Sequence, residues 1–133
     1  MRVPVMRDFT RPKLWLGIWI FGWLLCIVLS MGPPPPIPRE VPDGDKIGHA
    51  LAYGLLAAWA VMIFRTRGAW LRSGAGLVAL GIAIEFAQAT FTTNRTGDPY
   101  DAVADALGVM LGLCVALTPA GEWLLKLERR WLR

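Results

Sequence analysis

Residues 14–31 read LWLGIWIFGWLLCIVLSM, a run without a single charge. Wound as a helix at about 1.5 Å per residue it reaches about 27 Å, close to the roughly 30 Å hydrocarbon core of a bilayer. Three further runs of similar length follow. Residues 47–64 hold only His49 and Tyr53 as ionisable groups, residues 73–91 only Glu85, and residues 102–118 only Asp105. In lipid the backbone must satisfy its own polar groups, so segments of this length are read as helices. No strand-like alternation and no internal repeat competes with that reading.

Composition agrees. The chain has 133 residues, 55% apolar and only 18% charged, with a mean hydropathy of +0.45. A single domain this small cannot hide so much apolar surface from water, and it is too apolar for a disordered chain. The expectation is an all-α bundle of four transmembrane helices. The net charge of +4 does not indicate nucleic acid, because the basic residues form no patch on a soluble face. Eleven of the 14 Lys and Arg residues fall in the N-terminal segment, in the second loop (Arg65, Arg67, Arg72) and in the tail. The positive-inside rule then places both termini in the cytoplasm. A cleaved signal peptide is the rival reading of the first run, which is long for that role. Residues 32–44 carry six prolines and read as a stiff outer spacer. Asp45 behind Gly44 suits an N-cap of the second helix. The tail, residues 119–133, alternates Trp123, Leu124, Leu127 and Trp131 with basic residues, the pattern of an amphipathic helix on the inner leaflet.

The polar residues gather toward the outer ends of the helices. Asp45, His49 and Tyr53 are spaced i, i+4, i+8 and share one helix face. Gly81, Glu85 and Gln88 share a face of the third helix, and Asp101 and Asp105 share a face of the fourth with Gly108 and Gly112. The stripes Ala104-Gly108-Gly112-Ala116 and Ala79-Ala83-Ala87 have the small-xxx-small spacing that lets membrane helices approach closely. The polar groups are therefore expected to face the bundle interior. An ionised side chain at membrane depth costs about 2.5 kcal/mol or more, which makes such residues functional candidates.

Several chemistries suit this set. Asp45 could orient the His49 imidazole, and Glu85 or Asp101 could act as acid or base. Arg95 with Lys46 could hold an anion. His49 with Glu85, Asp101 and Asp105 could also surround a divalent cation, but no local metal signature is present, and neither a metal nor a cofactor is expected. No serine stands where a protease nucleophile belongs, and a paired-histidine phosphatase is excluded because His49 is the only histidine.

The string Asp45-Lys46-x-x-His49-x-x-x-Tyr53 resembles the opening motif of the VanZ-like membrane protein family. Glu85-x-x-Gln88 with Phe91 resembles its second motif. Arg95 followed by Asp101-x-x-x-Asp105-x-x-Gly108-x-x-x-Gly112 resembles its third, although that family more often has Asn where this chain has Asp105. The resemblance covers residues 45–112. It implies a small multi-pass protein of the bacterial cytoplasmic membrane, and the namesake member is associated with low-level resistance to the glycopeptide teicoplanin. The function expected is an outward polar pocket that binds or modifies an anionic, lipid-linked cell-envelope molecule. His49, Glu85 and Asp101 would be its acid/base or polar-contact groups. Asp45, Lys46, Tyr53, Gln88, Arg95 and Asp105 would be its ligand contacts, and membrane lipids its partners. Whether a bond is made or broken stays open at this point. The alternatives are a non-enzymatic scaffold whose polar cluster only holds the bundle together, and a proton-coupled carrier.

Overall fold

A computed structural model of the chain describes residues 4–33, 36, 44–93 and 97–132. Its helices are α1 (Pro12–Met31), α2 (Gly44–Ile63), α3 (Arg67–Phe91), α4 (Pro99–Leu113) and α5 (Trp123–Trp131). A 3-10 turn, Cys114–Leu117, prolongs α4, and a second, Pro119–Glu122, leads into α5. Four segments are long and apolar enough to cross a membrane: Pro12–Met31, Gly44–Ile63, Arg67–Phe91 and Pro99–Leu117. The fold is thus the expected all-α bundle. The proline-rich spacer lies almost wholly outside the described residues, as does Arg95.

All four spanning helices start earlier than their apolar runs, α1 by only two residues. The helix α3 begins at Arg67 rather than 73, because the Thr66 side chain accepts a hydrogen bond from the Ala69 amide and caps it. The helix α4 begins at Pro99 rather than 102, capped by Asp98, whose carboxylate accepts from the Tyr100 amide at 2.9 Å. A proline at the first position needs no hydrogen-bond donor there. The helix α2 begins at Gly44 rather than 47, so Asp45 lies inside the first turn and is not its cap. A carboxylate there still complements the positive end of the helix dipole.

Glycines set the spacing of α2 and α4. A Cβ on Gly108 would lie 2.2 Å from the Ala50 carbonyl oxygen, and one on Gly112 would lie 2.2 Å from that of Gly54. The two backbones therefore touch directly, as the stripe through Gly108 and Gly112 predicts. On α3 the stripe differs from expectation. Ala79 and Ala83 are exposed, while Gly74, Leu77, Gly81, Glu85 and Gln88 face inward. A glycine is needed at 81 because its missing Cβ leaves space for the Asp105 carboxylate. The helix α1 lies against this core more loosely, and only Trp15 of its residues is buried. It is tied by the Trp19 indole donating to the Leu56 carbonyl at 2.9 Å and by the Gln88 amide donating to the Ser30 carbonyl at 2.7 Å. Phe21, Leu24, Val28, Leu55, Phe86, Met110 and Leu111 are exposed around the outside, an apolar girdle suited to lipid.

The termini meet at one end of the bundle. The Arg7 amide donates to the Ile63 carbonyl and the Arg65 amide to the Val5 carbonyl, so the N-terminal segment pairs with the α2–α3 loop. The tail is not a helix throughout. It becomes α-helical only at Trp123 and turns Leu124 and Glu128 into the protein, leaving Trp123 and Trp131 exposed. Glu128 accepts from the Trp15 indole at 2.6 Å and from the backbone amides of Thr10 and Arg11. The start of α1 has no side-chain cap of its own, and Glu128 supplies the negative group from the far end of the chain. Burial alone would raise the Glu128 carboxyl, but the hydrogen bonds from Trp15, Thr10 and Arg11 outweigh it and hold the group below the usual glutamate range.

Two predictions follow from this packing. Gly108→Ala should destabilise the protein by about 1–3 kcal/mol through overpacking. Gly17→Ala, whose Cβ meets nothing within 4 Å, should be neutral or stabilising by up to about 1 kcal/mol. Thermal unfolding in detergent compares the two, and equal effects would mean that α2 and α4 do not touch at Gly108. The second concerns pH. Because the folded-state pKa of Glu128 is depressed, its stabilisation is complete above the ordinary glutamate value of about 4.3 and is lost as pH falls through the lower folded value. Melting temperature should fall on that acid limb in the wild type and fall less in Glu128→Gln.

Candidate functional site

At the opposite end of the bundle, the close α2–α4 crossing brings the first turns of both helices together. Lys46 of α2 reaches across to α4, with Nζ 3.0 Å from Asp98 Oδ2 and 3.3 Å from Asp101 Oδ1. One turn deeper, His49 Nδ1 lies 2.8 Å from Asp105 Oδ1. A carboxylate only accepts, so Nδ1 carries a proton, and Nε2 keeps its lone pair whenever the ring is neutral. Nε2 faces two more carboxylates, Asp101 Oδ2 at 3.7 Å and Asp45 Oδ1 at 3.8 Å. Asp101 therefore presents one oxygen to Lys46 and the other to His49.

Glu85 joins from α3. Its Oε2 accepts from the Asp98 amide at 2.8 Å, which fixes the start of α4 against α3. A carboxylate oxygen of Glu85, one of Asp105 and a His49 ring nitrogen lie within 4.8 Å of one another, and so do the donor atoms of Asp45, His49 and Asp101. Asp105 is 1% exposed and Glu85 7%. Among the described residues, Glu85 Oε1 and Asp105 Oδ2 have no hydrogen-bond partner. The Lys46 ammonium, with help from the Tyr100 amide, holds the Asp98 carboxyl below the usual carboxylate range.

A groove of about 160 Å³ opens on this cluster, lined by Asp45, Gly48, His49, Ala52 and Tyr53 of α2 and by Cys26, Leu29 and Ser30 of α1. A second cavity of about 390 Å³ reaches Glu85 from the α3–α4 side. Of the residues expected in the site, His49, Glu85, Asp101, Asp45, Lys46 and Asp105 converge. Tyr53 lies at the groove, buried, with its hydroxyl beside the Cys26 thiol. Gln88 faces inward but is used to hold Ser30 of α1. Sequence reasoning missed Asp98, although Asp-Pro ahead of an apolar run is a helix-start signal. It also missed Ser30 and Cys26 as groove residues, for which no sequence signal exists.

The set can hold and move a proton at His49 Nε2, with Asp105 fixing the ring and Asp101 and Asp45 receiving the charge. Asp105→Ala should leave the His49 Nδ1–H without an acceptor and cost about 1–3 kcal/mol. Asp105→Asn keeps an acceptor oxygen and should cost distinctly less. Thermal unfolding of the two variants checks this, and equal losses would assign Asp105 a role other than accepting from His49.

No protein-family model matches the chain, and no solved structure matches it. A relative is found in the fission yeast Schizosaccharomyces pombe, where uncharacterized protein C11E3.10 is 35% identical over 116 residues, covering 85% of this chain and 68% of the yeast protein. The chain belongs to the same family as this fission yeast protein.

Proposed function

We propose that this chain is a VanZ-like membrane protein whose polar cluster engages the headgroup of an anionic, lipid-linked cell-envelope molecule. The observation that carries the reading is the two-part groove. Asp45 and His49 line it together with the apolar side chains of Leu29 and Ala52. That arrangement suits a molecule with a polar head and an apolar tail. Support for the family assignment is that all three motifs named above contribute residues to one cluster. In this reading the basic end of the bundle, with Arg7, Arg65 and Lys126, faces the cytoplasm and the cluster faces outward. The host membrane is then a bacterial cytoplasmic membrane, and the envelope ligand offers a link to glycopeptide resistance. His49 and Glu85 are the groups for proton transfer if the bound molecule is modified.

A structural reading has its own observation. Lys46 joins α2 to α4, and Glu85 joins α3 to the start of α4, so the cluster also holds three helices together. Native mass spectrometry of protein extracted gently from its own membrane separates the two. Gly48 lines the groove, and a Cβ there meets nothing within 4 Å, so Gly48→Leu should fill the groove without disturbing the fold. Wild type should retain a lipid that Gly48→Leu loses and Glu85→Gln retains less well. Bare protein in all three samples, with Glu85→Gln merely less stable, would favour the structural reading.

A further inference from the structure

The described cluster is rich in carboxylates and poor in positive charge. Asp45, Glu85, Asp98, Asp101 and Asp105 surround one lysine and one imidazole, and Lys46 is already shared between Asp98 and Asp101. Inside a membrane protein such an excess needs compensation. Two features locate where the compensating charge belongs. The first is His49. Its Nδ1–H donates to Asp105 at 2.8 Å, which turns Nε2, a metal-binding lone pair in the neutral ring, toward Asp101 Oδ2 at 3.7 Å and Asp45 Oδ1 at 3.8 Å. Those separations are too long for hydrogen bonds. They are close to the spacing of about 3.4 Å between donors that each bind a tetrahedral cation at about 2.1 Å. A carboxylate that accepts from the second ring nitrogen is also the usual support of a metal-binding histidine. The second feature shares only His49 with this triad. Glu85 and Asp105, both more than nine-tenths buried and each with an oxygen within 4.8 Å of a His49 ring nitrogen, keep carboxylate oxygens without a donor among the described residues.

We infer that His49 Nε2, Asp45 and Asp101 form a binding site for a divalent transition cation, with Asp105 as the positioning residue behind the imidazole. One imidazole and two carboxylates suit Zn²⁺ or Mn²⁺ better than the all-oxygen shells that Mg²⁺ and Ca²⁺ prefer. Three protein ligands leave coordination positions open. Asp45 and His49 line the groove, so the open positions face it. A cation there would also give an acidic cluster the positive charge it needs to meet an anionic headgroup, but the inference stands without the lipid reading.

The test is equilibrium dialysis of the full-length protein in detergent against Zn²⁺ alone and Mn²⁺ alone, with bound metal counted by elemental mass spectrometry. Wild type should hold about one equivalent. The Asp45 side chain is 46% exposed, so Asp45→Asn should fold normally, and it should bind at least tenfold more weakly. Asp105→Asn should weaken binding by about 10–100-fold. Wild type that holds no more metal than the His49→Gln variant, or an Asp45→Asn variant that binds as wild type does, would overturn the site and make an imidazolium the compensating charge. No lipid is present in this titration. Protein that binds metal but retains no native lipid would therefore remove the lipid reading alone, and lipid without metal would remove the metal site alone.

Discussion

Backbone contact between α2 and α4 underlies the rest of the structure. Gly54, Gly108 and Gly112 remove the side chains that would hold the two helices apart, and the main chains meet at Ala50 and Gly54. Only at that separation can a short side chain such as Asp105 reach the His49 ring, and only then does Lys46 span to Asp98 and Asp101. In lipid no hydrophobic effect drives helices together, so close packing and interhelical hydrogen bonds must do so. The glycines supply the first, and the cluster at one end supplies the second.

The two ends of the bundle treat charge differently. At the basic end Glu128 is buried but fully occupied, taking an indole and two amides that α1 leaves uncapped. Its contacts consume its hydrogen-bonding capacity, and the result is a closed structural joint. Among the described residues at the other end, the carboxylates outnumber their donors. Asp105 and Glu85 each keep an oxygen with no partner among them, and His49 turns Nε2 toward two further acids. Buried polar groups in folded proteins are nearly always paired. The acidic end is therefore where a ligand has something to contribute.

Much of this cluster was legible in the sequence. Helical periodicity alone puts Asp45, His49 and Tyr53 on one face, and Asp101 and Asp105 beside Gly108, because the spacing is set by backbone geometry. Helix starts were less legible. An apolar run ends at its first charge, whereas the backbone stays helical through Arg67 and Arg72 until a cap such as Thr66 stops it. The Ala79-Ala83-Ala87 stripe misled because small residues recur on more than one face of α3. The face that packs is set by Gly81, where Asp105 needs the space. Glu128 was out of reach because its partners, Trp15, Arg11 and Thr10, are more than a hundred residues away, and their pairing depends on the finished bundle.

The orientation of His49 is the central claim, and this chain makes it directly measurable, since His49 is its only histidine. Nitrogen-15 labelling of histidine alone yields the spectrum of one ring. At a pH where the ring is neutral, the account predicts a proton on Nδ1 and a bare Nε2, with Asp105→Ala abolishing that preference. A ring protonated at Nε2, or one indifferent to loss of the Asp105 carboxylate, would contradict it.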